Sequence, residues 1–372
     1  MWIILAIFFM QFTDKVGAER VCLSETAIEK REARGIAIDS LDFEVSPVYL
    51  DSVRAMGAKV LHTSRWINGA TVEANNEAIR AIEKCGFVDT IYLTRMEPTE
   101  QAFDIPSIPL RKRIIAEDTL PDAPLPVASI KQLDKLNLLP LHQAGYKGKG
   151  IRIGIADGGF YNADSLALLP QKQWLGYADF TDDEDDFFGS TGNHGTLCLT
   201  AIIAETADYQ GTATEAEYFL FRTEEHSTES PKEIDNWVAA IEMADSLGLD
   251  IVSTSLGYTT FDDESFNFAY ADMDGRSSRG AQAAIIAARK GMLLIVAVGN
   301  DGNKAWHYLS TPADADSILT VGAVDIGRTI ANFSSFGPSA DGRIKPEICA
   351  VGKQTILLNP SNDEIMKGNG TS

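Results

Sequence analysis

Residues 151–160 read Ile-Arg-Ile-Gly-Ile-Ala-Asp-Gly-Gly-Phe, a short β-branched run that stops at a carboxylate and two glycines. Such a run predicts a parallel strand buried on both faces, with Asp157 delivered to the rim of its sheet. In open α/β sheets ligands sit outside the carboxyl ends of the strands, so a carboxylate at that point is an active-site candidate. Taken alone, strand-Asp-Gly is also ordinary turn chemistry behind a core strand. The residues that follow, and their order, decide between the two.

Beyond this strand the sequence alternates. The pattern predicts a small-residue helix over 197–206, a strand over 217–222, an amphipathic helix over 232–247 and a strand over 250–254. A helix over 279–290 and strands over 292–298 and 318–324 follow. This is the signature of an α/β fold, a doubly wound, mostly parallel sheet with helices on both faces. Ahead of it, a helix over 131–144 leads into a turn at 145–150. Residues 46–94 predict a smaller α+β unit: helices over 47–56 and 75–84, and strands over 58–63, 69–73 and 87–93, with Asn68-Gly69 as the hairpin signal. Pro98, Pro106, Pro109, Pro121, Pro124 and Pro126 mark 97–128 as a linker, where proteolytic nicking concentrates. The expected division is an apolar leader at 1–18, a small α+β domain at 19–96, the linker at 97–128 and the α/β domain at 129–372.

A formal net charge of -21 argues against nucleic-acid binding, which needs clustered Lys and Arg for phosphate, and against docking on anionic lipid. No internal apolar run is long enough to span a bilayer. Residues 1–10 resemble the apolar centre of a secretory signal, with Val16-Gly17-Ala18 as a small-residue cleavage pattern. The protein is therefore expected to be exported: secreted, at the cell surface or periplasmic. No Lys or Arg precedes that run, and the alternative is that residues 11–15 form the first strand of the precursor. Cys198 and Cys349 lie in apolar runs and are expected to be buried. Cys22 and Cys85 are candidates for a disulfide, and the spacing gives no zinc signature. The acidic run Asp182, Asp183, Glu184, Asp185, Asp186 offers oxygen ligands for calcium, but it lacks a ligand register and reads as a solvated loop. Gly148, Gly150 and Gly154 precede and interrupt the organising strand, so they build no phosphate cradle behind it.

Nucleophilic acyl transfer by a hydroxyl needs a base, a carboxylate that fixes the tautomer of the base, and donors for the oxyanion. Asp157 ends its strand, and Gly192-Asn193-His194-Gly195-Thr196 sets a histidine before a small-residue helix. Asn300 follows a strand in Ala297-Val298-Gly299-Asn300-Asp301-Gly302, and Gly370-Thr371-Ser372 offers a serine after a glycine. Alone, His194 reads as a capping or core histidine and Asn300 as a turn residue. His62, His142, His226 and His307 lie outside any such set. The order Asp, His, Ser with an intervening Asn on a parallel α/β pattern is the subtilisin order. Together with Ser253-Thr254-Ser255-Leu256-Gly257, Phe333-Ser334-Ser335-Phe336-Gly337-Pro338 and Lys345-Pro346-Glu347, these motifs make about residues 130–372 resemble the subtilisin-like serine proteases, or subtilases. The unit before the linker resembles the propeptide of that family.

The resemblance implies a subtilisin-like fold and a secreted serine endopeptidase made as an inactive precursor. It also implies protein or peptide substrates, the chain's own propeptide as intramolecular inhibitor, and no required cofactor. Carried over residue by residue, Asp157 orients His194, His194 acts as general base toward Ser372, and Ser372 forms the acyl-enzyme. Asn300 and the Ser372 N–H form the oxyanion hole. Ser255, Leu256 and Gly257 pair with an extended peptide as an added strand, and Ala297, Val298 and Gly299 line the pocket for the side chain before the scissile bond. Leu197 and Cys198 stand where the family usually has His-Val. The sequence stops at Ser372, where the family continues into a buried helix, so a partial sequence with little activity as given is expected. The competing reading is a non-catalytic subtilase-like binding or adhesion module.

Overall fold

The computed structural model describes residues 5–96, 129–166, 169, 173–181, 186–189 and 192–372. The first 92 of these build a four-stranded antiparallel sheet from Leu5–Phe12 (β1), Lys59–Ser64 (β2), Gly69–Asn75 (β3) and Val88–Met96 (β4), in the order β2-β3-β1-β4. Three helices accompany it: Glu25–Arg34 (α1), Pro47–Ala55 (α2) and Asn76–Ile82 (α3). The apolar run expected to be a leader is thus an inner strand of the small domain, and the boundary expected at 18/19 falls outside that strand. The reason is that β1 is covered on both faces. Met10 and Phe12 pack with Val53 of α2 and Ile82 of α3, while Phe9 packs on the larger domain. A strand buried on both sides shows no alternation and looks like a signal core. The strand Gly69–Asn75 and the helices α2 and α3 lie where the sequence places them within a residue or two, whereas α1, capped by the Ser24 hydroxyl, was not expected. The linker over 97–128 lies outside the described residues.

The expected helix over 131–144 is two helices, Ile130–Lys135 (α4) and Leu139–Gln143 (α5), because the chain passes through a left-handed residue at Asn137 (φ 56°). Seven strands then form one parallel sheet: Arg152–Asp157 (β5), Trp174–Asp179 (β6), Glu217–Arg222 (β7), Ile251–Thr254 (β8), Leu293–Ala297 (β9), Leu319–Val324 (β10) and Ile348–Val351 (β11). Their order is β11-β10-β9-β8-β5-β7-β6. From β5 the chain crosses to the edge strand β6, comes back to β7 beside β5, then passes to β8 on the other side and winds outward to β11. The carboxyl ends of β5 and β8 therefore flank the topological switch point, where such sheets bind ligands. On one face, Ile153 and Ile155 pack with Leu199 and Ile203 of His194–Ile203 (α6). On the other, Ala156, Phe221 and Val252 pack with Trp237 and Ile241 of Lys232–Leu247 (α7) and Ala284 of Arg279–Arg289 (α8). An antiparallel hairpin, Lys353–Leu358 (β12) and Ile365–Asn369 (β13), leads to the last residues.

The small domain seats on α7 and α8 through an apolar contact ringed by buried ion pairs. Arg31 Nη2 reaches the two Asp245 oxygens at 2.7 and 2.8 Å, and Arg65 Nη2 reaches Asp245 Oδ2 at 2.6 Å. Glu242 accepts from the Ser64 hydroxyl at 2.5 Å and from the N–H groups of Arg65 and Trp66 at 2.9 and 3.2 Å. Lys290 joins Asp39 and Asp42, each at 2.8 Å. The candidate pairing of Cys22 with Cys85 does not form: both are free, and Cys85 Sγ lies 3.7 Å from Met56 Sδ. Cys198 is buried as expected, but Cys349 is exposed because β11 is an edge strand. No helix among the described residues is long and apolar enough to cross a membrane.

Candidate active site

Ala156 pairs with Thr254, and Thr254 with Val296. Asp157, Ser255 and Ala297 therefore leave three adjacent strands side by side at one rim, at a strand spacing of about 4.8 Å. Asp157 is fully buried. Its Oδ1 accepts from the Gly158 N–H at 2.8 Å, and its two oxygens lie 2.9 and 3.0 Å from His194 Nδ1. His194 does not precede its helix but is the first residue of α6. That puts the ring over the carboxylate only because Gly195 follows: a Cβ there would stand 2.9 Å from Asp157 Cβ and 2.6 Å from the Gly159 carbonyl. Half of the His194 side chain remains exposed, so its outer edge is open to a reactant. The charge of Asp157, and after it the sulfur of Cys198, hold the imidazole well above its ordinary value against the cost of burial. Cys198 lies one helical turn on, with Sγ 4.0 Å from His194 Nδ1.

A second group assembles two strands away. Asn300 Oδ1 accepts from the Thr371 N–H at 2.9 Å and from its hydroxyl at 3.2 Å, and Thr371 Oγ1 also accepts from the Gly299 N–H at 3.3 Å. With its oxygen so occupied, the Asn300 amide turns Nδ2 toward the last residues, where a Cβ on Gly370 would lie 3.9 Å from it. Ser372 Oγ donates to the Ser255 carbonyl at 3.5 Å. The structure therefore joins Asp157 to His194, and Asn300 and Ser255 to residues 371–372, on neighbouring strands of one rim. His194 and Ser372 share no hydrogen bond, a contact that commonly tightens only with substrate bound. Gly257 and Gly299 face each other across residues 310–311, Gly299 at φ +112°. Leu256 is partly buried against the α7–α8 core, and Ala297 and Val298 are buried.

Two features were missed in the sequence. Thr371 ties the last residues to Asn300, and Cys198 sits four residues after His194, the spacing that puts two side chains on one helix face. A carboxyl cluster, Glu224, Glu229 and Glu233, has oxygens within 4.8 Å of one another, and Tyr258 Oη donates to Glu224 Oε1 at 2.6 Å. Asp157, His194 and Cys198 form a second group with metal-liganding atoms at that spacing. Of the acidic run weighed for calcium, 182–185 lie outside the described residues. His62 and His142 are engaged by backbone carbonyls, Phe180 and Thr212, each at 2.9 Å.

A model of the subtilase family (Peptidase S8) matches residues 148–372, and one of the Peptidase S8 propeptide domain of Bacteroidota matches residues 8–104. The propeptide match begins inside β1, in agreement with its place in the small domain's sheet. Among curated proteins, the chain is 27% identical to the serine protease AprX of Bacillus subtilis (strain 168) over 238 residues, 59% of this chain and 50% of AprX. It is 29% identical to subtilisin DY of Bacillus licheniformis over 234 residues, 61% of this chain and 73% of that protein. It is 27% identical to the membrane-bound transcription factor site-1 protease of Homo sapiens, over 57% of this chain and 18% of that one. The chain thus spans about half the length of AprX.

Proposed function

The chain belongs to the subtilase family, and on that premise we propose that it is a serine endopeptidase acting through Asp157, His194 and Ser372. The observation that carries this reading is the two-oxygen contact of Asp157 with His194 Nδ1, next to the strand ends that hold Ser255 and Asn300. A carboxylate on Nδ1 fixes the tautomer that leaves Nε2 free to take the Ser372 proton and later to give it to the leaving amine. The Asn300 amide and the Ser372 N–H receive the oxyanion. Residues 255–257 pair with the extended substrate, and residues 297–299 bound the side chain before the scissile bond. The small domain serves as the inhibitory propeptide, separated from the catalytic domain by cleavage within 97–128, and the enzyme acts after export. Its substrates are proteins or peptides.

A fluorophosphonate probe applied to a chain completed beyond Ser372 tests the reading. Labelling of the protein that disappears in Ser372→Ala and in His194→Ala supports it. A folded protein that binds peptides but never labels points instead to a subtilase-like binding module.

A further inference from the structure

We propose that α1 is a latch: it docks at the amino ends of β8 and β9, away from the cleft, and sets how long the small domain stays in place once the linker has been cut. The inference rests on the endopeptidase reading and concerns how that same site is kept inactive. After Phe12 the chain leaves the small domain's sheet, and it returns at Val45, which packs in that domain's core. The excursion is closed on itself by the Val21–Phe43 bridge and by the Cys22 N–H, which donates to the Asp42 carbonyl at 2.8 Å. Among the described residues, none of α1 belongs to the core that β1, β3, α2 and α3 share. Its two buried residues serve the larger domain instead. Ala27 lies so close to Gly248 that a Cβ there would stand 3.0 Å from its backbone, and Arg31 reaches both oxygens of Asp245.

The remaining contacts of α1 fall on two turns. At the turn from α7 into β8, the Ser24 N–H donates to the Ser246 carbonyl at 2.8 Å, and Lys30 Nζ to the Gly248 carbonyl at 2.8 Å and to Asp250 Oδ2 at 2.6 Å. Arg34 Nη2 donates to the other Asp250 oxygen at 2.6 Å. At the turn from α8 into β9, Arg34 Nη1 donates to the Gly291 carbonyl at 2.8 Å. Lys30, Arg31 and Arg34 thus form one basic edge of the helix, matched by Asp245 and Asp250. At about 3.3 Å per residue, Asp250 stands about 17 Å along β8 from Ser255, so this grip is separate from the rim where substrate binds. A cut within 97–128 removes the covalent tether but none of these bonds. Charge-assisted pairs that are partly desolvated act mainly on the rate of dissociation, so they hold the inhibitor on the cut enzyme.

The test uses the chain completed beyond Ser372, with the recognition sequence of a site-specific protease placed within 97–128, so that cutting does not depend on the enzyme's own activity. With Ser372→Ala, the cut protein is expected to elute as one complex, and dilution reads the rate at which the small domain leaves. Lys30→Ala with Arg34→Ala is expected to raise that rate about tenfold. Lys59→Ala, which removes a cation paired with Glu73 inside the small domain, is expected to leave it unchanged. With Ser372 restored, the lag before peptide cleavage shortens by the same factor and the final rate stays the same, because both substitutions lie in the part that leaves. Arg34→Ala alone, at a partly exposed side chain, gives an intermediate rate and carries the test if the double variant does not fold. A double variant, or in its place Arg34→Ala, that dissociates no faster than the parent overturns the latch and leaves the endopeptidase reading intact, as does a parent whose small domain leaves as soon as the linker is cut. A complex that separates as expected, but into a catalytic domain that neither cleaves peptides nor takes a fluorophosphonate, overturns the endopeptidase reading and leaves the docking of α1 standing.

Discussion

Two groups of carboxylates, at the seam and at the loop before α7, are treated in opposite ways. At the seam between the small domain and α7–α8, each is met by cations or N–H groups. Burial alone would raise the Asp42 carboxyl, yet hydrogen bonds from Lys290, the Asp39 N–H and Arg31 hold it below its ordinary value. Asp250 is lowered against burial in the same way by Lys30, the Arg152 N–H and Arg34. Glu242 and Asp235 are raised, because burial outweighs the cations beside them, Arg65 and Arg279. At the loop between β7 and α7, next to Asp157, Glu225 is paired by Lys232 and Arg95, but Glu224, Glu229 and Glu233 crowd one another. Burial, aided by the charge of Glu229, pushes Glu224 up to about 8. Burial, with the charges of Glu224 and Glu229, pushes Glu233 up to about 10. The seam is built to fasten, so removing a carboxylate there strands a cation. The loop beside the rim holds like charges together, so removing one relieves repulsion.

The largest effect belongs to the rim. Asp157→Asn is expected to lower kcat/KM by about 10⁴-fold with the fold intact, because the imidazole loses its tautomer control. The same change acts on pH. His194 must be neutral to serve as base, and Asp157 holds its pKa well above 6.5, so activity rises with pH along a limb above that value. In the variant the limb moves to lower pH, which a kcat/KM profile reads directly. Next comes the seam. Asp245→Ala leaves Arg31 and Arg65 buried without their shared carboxylate, and is expected to cost about 3–5 kcal/mol in urea unfolding of the two-domain protein. Asn300→Ala follows, with turnover down by about 100- to 1000-fold and KM little changed, a magnitude known from a subtilisin.

These contrasts also explain what the sequence revealed. Parallel strands and their crossover helices were legible where apolar periodicity and a stop signal coincided, as in Lys232–Leu247, which ends at the left-handed Gly248. The candidate site was legible as an order of residues, and the fold supplied the reason that Asp157 and Asn300 share a rim: their strands have only β8 between them. Lost to periodicity were β1, apolar on both faces, and the edge strands β6 and β11, whose exposed sides carry little pattern. The ion-pair seam was illegible because Arg31 and Asp245 are 214 residues apart, and no local rule pairs charges at that distance.

The smallest expected effect separates seam from loop most cleanly. Glu229 is exposed, anchors no helix, and is raised to about 6 by desolvation and by Asp262. A carboxyl whose folded pKa exceeds its unfolded value keeps a proton in the native state that the unfolded chain has already lost. The native state then binds more protons, and stability declines as pH rises from the unfolded value, near 4.5, through the folded one. Asp42 and Asp250, lowered in the fold, act with the opposite sign: their contribution is present above the unfolded value and is lost as pH falls through the folded one. Glu229→Gln removes one member of the crowded cluster and eases the other two. Because solvent screens most of the shift at an exposed carboxyl, it is expected to be neutral at pH 4 and to stabilise by less than about 1 kcal/mol at pH 8, flattening the decline between. Urea midpoints at pH 4, 6 and 8 measure this. A variant less stable than the parent at pH 8 would mean that Glu229 is held by a cation and that the loop, like the seam, is a charge-matched site.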